Sequence, residues 1–233
     1  MAKKQTPAAQ NTEASIVNET FFDKYKKWIL GGTTAIIVVA LGIIGYIQFI
    51  RNPRIAKANE EIAKCQVYFE NGAQDPVNYQ KALEGDGEEC IGFIKVAEEY
   101  SSTDAGNLAK LYAGICYGKM GNYEEAKKYL EDFDQKDDMN ISKQSICLLG
   151  DVYANLGDND KALELYLQAA EEAEEAGSRA IAVNSLVKAG NLYESMNQAD
   201  KALECYQNIK TKFYNTSIVQ SGEINRLIEH VSK

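Results

Sequence analysis

One phrase occurs three times in this chain: "GNYEEAKKYL" at 121–130, "GDNDKALELY" at 157–166 and "NQADKALECY" at 197–206. Aligned on Ala126, Ala162 and Ala202, the copies extend well beyond the phrase. Gly114, Gly150 and Gly190 stand twelve residues before the alanine, and Tyr117, Tyr153 and Tyr193 stand nine before it. The turn comes five before, at Gly121, Gly157 and Asn197. A large side chain follows four after, at Leu130, Tyr166 and Tyr206, and an apolar one seven after, at Phe133, Ala169 and Ile209. A repeat of this length leaves little choice of fold. Two helices that cross tightly need a small residue on each at the contact, here glycine on the first and alanine on the second. The tyrosine and the apolar residues after the alanine fill the space on either side. Glycine or asparagine at the turn takes the left-handed backbone that ends the first helix. Each helical hairpin is left with one uncovered apolar face, which only the next hairpin can bury. The expected fold is therefore all-α, a solenoid of stacked hairpins.

This small–tyrosine–turn–alanine–large pattern resembles the tetratricopeptide repeat (TPR) family, whose period is about 34 residues. The copies depart from the family pattern where its first-helix tryptophan would be, since Lys110, Ile146 and Leu186 occupy that place. Asn197 and Ala199 make the third turn atypical, and a four-residue surplus around "EEAEEAGSRA" reads as an extra helical turn. Three repeats are assigned to 107–216 and a C-terminal capping helix to 217–233. Residues 51–106 read as a degenerate first hairpin. Its first helix is "IAKANEEIAKCQVYFENG", with Pro53 near its start. Its second helix packs through Phe93, Val96 and Tyr100, and the breaker-rich stretch "AQDPVNYQKALEGDGEE" between them reads as a long loop.

Ahead of the repeats, "WILGGTTAIIVVALGIIGYIQFI" runs from Trp28 to Ile50 without a charge. As a helix it reaches roughly 34 Å, enough to cross a hydrocarbon core of about 30 Å. It ends in Gln48, Phe49, Ile50 and Arg51, without the small-residue site at which a signal peptide is cut, so it is expected to stay as an anchor. Lys24, Lys26 and Lys27 crowd its near side. That bias puts residues 1–27, read as a disordered tail, in the cytoplasm and the repeats on the other side. Gly31, Ala35, Gly42 and Gly45 form a stripe of small residues along the segment, suited to close approach of another membrane helix.

Charge and motifs narrow the function class. Residues 51–233 carry 20 basic and 31 acidic side chains, a field that repels phosphate backbones and argues against nucleic acid as a ligand. The five cysteines form no metal or redox spacing, and Cys116, Cys147 and Cys205 fall within helical patterns as apolar filler. A bridge between Cys65 and Cys90 is conceivable, but sequence does not establish its geometry. The single histidine, His230, reads as a solvated helix-end residue, the acid pairs at 171–175 as a solvated face, and "GDNDKALE" as a repeat turn lacking the later calcium ligands. No phosphate loop, zinc-protease or nucleophile-elbow motif occurs. Neither an enzyme nor a bound cofactor or metal is expected.

Binding of other proteins remains. In the TPR family the first helices line a concave surface. The resemblance assigns that surface here to Leu108, Leu111, Ile115 and Gly118, then Gln144, Cys147, Asp151 and Ala154, then Asn184, Val187, Asn191 and Glu194. Family members that clamp a terminal carboxylate hold it with lysine, asparagine and arginine. Leu111, Ile115 and Asp151 stand at those places, and Asp151 is expected to repel such a group. The layout of tail, span and repeat domain resembles the bacterial YfgM-like proteins, ancillary subunits of the Sec translocon. "ALEGDGEECIGFIKVAEEYSSTDAGNLAKLYAGICYGKMGNYEEA" is similar to membrane-anchored TPR proteins of the Bacteroidota. These resemblances imply a single-pass protein of the bacterial inner membrane with a periplasmic repeat domain. They imply as partners Sec translocon subunits, periplasmic chaperones or emerging (nascent) chains. The alternative is a structural subunit of another cell-envelope complex, for secretion or cell-wall growth.

Overall fold

A computed structural model describes residues 12–135 and 141–233, with side chains from Lys24 onward. It divides into two compact units, Met1–Arg54 and Ile55–Lys233. In the first unit, α1 (Thr12–Tyr46) is followed by one wider, π-type turn over Ile47–Arg51 and the start of α2 (Asn52–Asn71). Pro53 accounts for the wide turn. It has no N–H to offer the carbonyl of Phe49, and the Asn52 N–H instead reaches five residues back to the Ile47 carbonyl. Helix starts at Thr12 rather than at Trp28, so most of the stretch expected as a disordered tail is helical. No glycine or proline interrupts residues 12–30, and nothing there stops a helix that the apolar segment extends. Ile36, Ile37, Val38, Val39, Leu41 and Ile44 are all exposed within this unit, while Thr33 and Thr34 turn their hydroxyls back onto the Leu30 carbonyl. Among the described residues, one helix is long and apolar enough to cross a membrane.

The second unit is a stack of hairpins. Its central pairs are α5 (Asp104–Lys119) with α6 (Tyr123–Glu131), α7 (Ile141–Asn155) with α8 (Asn159–Glu175), and α9 (Arg179–Ser195) with α10 (Ala199–Lys212). Each helix packs on the next in chain order, and the first helices also touch one another, α5 with α7 and α7 with α9. Ala126, Ala162 and Ala202 are fully buried. The glycines of the first helices meet the expected alanine, whose carbonyl lies 3.3 Å from a Cβ on Gly114 and 3.4 Å from one on Gly150, and a nearer second partner as well. A Cβ on Gly114 would lie 2.6 Å from Leu130, one on Gly150 2.7 Å from Tyr166, and one on Gly190 2.4 Å from Tyr206. The large residue four places after the alanine therefore fills the room that the glycine leaves, and the two positions form one steric pair.

The turns behave as their residues require. Gly121, Gly157 and Asn197 have φ of +79°, +83° and +58°, and Asn197 is the one non-glycine with positive φ among the described residues. In all three the next residue's N–H returns to the carbonyl of the repeat tyrosine, at 2.9 Å for Tyr117, 3.0 Å for Tyr153 and 2.9 Å for Tyr193. The surplus in the middle repeat is helical: α8 runs on to Glu175, and Gly177 ends it with φ +73°.

Upstream, Phe93, Val96 and Tyr100 are buried, as expected of α4 (Phe93–Glu99) and the residue after it. The stretch expected as a loop contains a helix, α3 (Val77–Glu84). Its breakers bracket the helix instead of filling the segment: Asp75 accepts from the Val77 N–H, Pro76 precedes the first turn, and Gly85 closes the last with φ +100°. Tyr79, Ala82 and Leu83 form its buried face at helical spacing. The C-terminal cap is likewise two helices, α11 (Ser217–Gln220) and α12 (Glu223–Val231), because Gly222 turns left-handed between them. Ile224 buries against Tyr206, Ile209 and Phe213. Among the described residues, the buried apolar side chains of the unit form four clusters along the stack, bridged by half-buried residues such as Tyr117, Leu149 and Tyr193.

Candidate binding groove

The first helices α5, α7 and α9 carry the residues assigned to the concave surface, and the structure sorts them into two sets. Leu111, 6% exposed, packs with Leu130, Phe133 and Val152, and Cys147, 2% exposed, packs with Ile146 and Ala162. Both belong to the interior rather than to a surface. Their position on the helix meets the following hairpin, which covers it. Leu108 is half-buried against the Leu111 cluster. Gln144, Asn184 and Asn191 are exposed, and Val187 is half-buried.

Ile115 and Asp151 come together. They line an open groove of about 270 Å³ between α5 and α7, with Leu148 and Val152 as apolar wall and Gly118 and Ala154 as small floor residues. Tyr123, Lys119 and Asn155 also line it. A Cβ on Gly118 would stand in ordinary contact with the Ala126 methyl of α6, at 3.8 Å. Such a groove has the size of one large apolar side chain with polar groups along its rim.

Further along, the surface is polar. Lys188 from α9 donates to both carboxylate oxygens of Asp151, at 2.6 Å from Oδ1, and the Tyr166 hydroxyl donates to the same oxygen at 2.7 Å. One repeat later, the Tyr206 hydroxyl lies 2.8 Å from Asn191 Oδ1 and 2.5 Å from Glu194 Oε1, and His230 Nδ1 lies 3.0 Å from Glu194 Oε2. Burial and the adjacent carboxylate push the Tyr166 and Tyr206 hydroxyls well above the ordinary tyrosine range, so both remain donors. Asp151 therefore presents a neutralised pair rather than a repelling charge. What disfavours a carboxylate clamp is the apolar Ile115 in the groove and the burial of Leu111 beneath the surface. His230 is exposed but is not merely a solvated helix end, since it ties the cap to Glu194 across 36 residues of sequence.

From sequence, Tyr166 and Tyr206 were expected only as packing residues of the repeats, and Lys188 was not singled out. A signal for two of them exists in the repeats themselves. Where Leu130 is replaced by tyrosine in the second and third copies, Ile115 is replaced by an acceptor, Asp151 or Asn191. The hydroxyl and its acceptor arrive together because a buried hydroxyl without a partner is costly. The thiols offer no chemistry: burial raises Cys147 and pushes Cys116 up to about 12 and Cys205 up to about 11.

Family models of the tetratricopeptide repeat match residues 108–137 and 144–208. The chain carries TPR repeats. The TPR-like repeats of a Podospora anserina protein, described as a kinesin light chain with nearly identical repeats, are similar in structure over 76% of this chain and 93% of theirs. Identity is 16% and the TM-score 0.55. MamA is similar over 68% of this chain and 89% of its own, with 18% identity and a TM-score of 0.46. At such identities the likeness to the first of these concerns the fold alone. No curated protein matches significantly. TPR domains mediate protein–protein interaction and are typically non-enzymatic scaffolds.

Proposed function

We propose that this protein is a membrane-anchored TPR scaffold whose groove holds a segment of another protein on the periplasmic side of a bacterial inner membrane. The observation that carries the proposal is the open groove at Ile115, Leu148 and Asp151, apolar within a domain of strongly acidic surface. In this reading residues 1–27 lie in the cytoplasm, 28–50 span the bilayer, 107–216 bind the partner and 217–233 cap the stack. The disulfide between Cys65 and Cys90 supports the location, because such bonds persist in oxidising compartments. Gly31, Ala35, Gly42 and Gly45 supply a face for another membrane helix; a Cβ on any of the three glycines would meet nothing within 4 Å. The partners suggested by resemblance are Sec translocon subunits, with periplasmic chaperones or emerging chains beside them.

A photocrosslinker at Ile115 in native membranes tests this reading, with one at exposed Lys128 as the control. The expected products are a translocon subunit or a periplasmic chaperone from position 115 alone. Capture of another envelope assembly's subunit would favour the alternative of a structural subunit there. Capture of neither removes the groove assignment.

A further inference from the structure

The first hairpin holds a pair of cysteines for which the groove has no use. Cys65 in α2 and Cys90 ahead of α4 are joined by a disulfide, with Cα atoms 5.0 Å apart and 25 residues between them in sequence. Both are buried. The backbone around them is shaped for the bond. The Asp86 carboxylate accepts from the Glu88 N–H at 2.9 Å, the Cys90 N–H at 3.0 Å and the Tyr68 hydroxyl of α2 at 2.7 Å. The Asp86 N–H donates to the Cys90 carbonyl at 3.1 Å, and the Gly92 N–H points at Cys65 Sγ from 3.3 Å. Gly92, at φ +90°, has backbone within 2.6 Å of where a Cβ would stand, so the turn admits only glycine.

The other ties of α2 to the stack are made by side chains near its end. Gln66 donates to the Tyr112 hydroxyl at 2.7 Å, and the Phe69 ring meets Tyr79, Phe93 and Tyr112 edge-on at 6.0, 6.2 and 4.9 Å. Ala58 and Ile62 add a short buried stripe. The disulfide is the one covalent link among them.

We infer that Cys65–Cys90 is an oxidative latch, formed by exchange with a thiol–disulfide oxidant, that fixes the end of α2 on the first hairpin while the TPR repeats fold without it. The thiolate of one cysteine attacks the partner's disulfide and expels one partner thiolate. The second cysteine then attacks the mixed disulfide and expels the other. Two electrons and two protons pass to the partner, and one S–S bond is exchanged for another. Cys116 shares the same apolar cluster and remains a free thiol. The inference rests on the proposed location only for where the oxidant is met, and its test does not involve the groove.

The experiment has two arms. Cells making the full chain are quenched in acid and alkylated in denaturant without reductant. A linked peptide pair containing Cys65 and Cys90 is expected, with Cys116, Cys147 and Cys205 alkylated. Hydrogen exchange is then compared between the oxidised full chain in detergent micelles and two variants, Cys65→Ser with Cys90→Ser and Cys65→Ala with Cys90→Ala. Amides over residues 62–71 are expected to exchange at least about tenfold faster in both variants, with residues 144–208 unchanged. Absence of the linked peptide from cells overturns the inference. So does unchanged exchange over 62–71, or loss of protection that extends to 144–208.

Discussion

Removing the hydroxyl of Tyr166 tests whether the polar part of the groove is built into the fold or merely decorates it. The side chain is 4% exposed and its hydroxyl donates at 2.7 Å to a carboxylate that also holds Lys188. Hydrogen bonds to charged groups contribute about 1.5–3 kcal/mol, and because a third of the Asp151 side chain is open to water the lower end applies, about 1.5 kcal/mol for Tyr166→Phe. Asp151→Ala is costlier, about 2–3 kcal/mol, since it leaves a buried hydroxyl and a half-buried ammonium without their acceptor. In the double variant the hydroxyl is no longer stranded, and a coupling energy of about 1 kcal/mol is expected. On a domain of this size Tyr166→Phe should lower Tm by about 3–6 °C. Urea unfolding of the full chain in detergent, followed by circular dichroism, measures all four corners of the cycle. Strict additivity, with coupling below about 0.3 kcal/mol, would refute the claim that hydroxyl and carboxylate are one device.

Gly190→Ala drives a methyl to 2.4 Å from the Tyr206 ring and should cost about 1–3 kcal/mol, read as a Tm drop that Gly190→Ala with Tyr206→Leu largely restores. Asp86 is held at about 2, chiefly by the Glu88 N–H and the Tyr68 hydroxyl, so its stabilising effect is complete above the ordinary carboxylate range and fades as pH falls from about 4 to about 2. Asp86→Asn should flatten that acid limb in a pH series of Tm, and an unchanged limb would count against the bracing role. Native-state maleimide at neutral pH should label none of the five cysteines, three being buried thiols and two a buried disulfide, until denaturant is added. A whole-cell topology test therefore needs a new exposed thiol such as Ser102→Cys.

The repeats were legible because their physics is local and recurs. The left-handed turn residue (glycine twice, asparagine once), the buried alanine and the tyrosine whose carbonyl closes the turn each leave a residue at a fixed place, three times over. Helix α3 was not legible. Asp75, Pro76 and Gly85 are equally good signs of a loop and of a short helix bounded by its own breakers, and eight residues give too little periodicity to decide. The groove was legible only in part. Helical position put Leu111 and Cys147 on the face assigned to the concave surface, but did not tell that the neighbouring helices would cover them, since that depends on how closely the repeats nest. The Asp151–Lys188 pair crosses 37 residues and two helices, and no spacing rule announces it.

The division of the apolar interior into four clusters has a mechanical consequence. No single sheet or central helix runs through the stack, so bending it requires only slight rotations at several seams, none of which must open. The curvature of the TPR array is then a soft coordinate, like the pitch of a coiled spring, and the groove between α5 and α7 can widen by sharing the adjustment with its neighbours. A segment held beside Ile115, as proposed above, would therefore meet a groove whose width is set by the neighbouring seams as well as by its own walls.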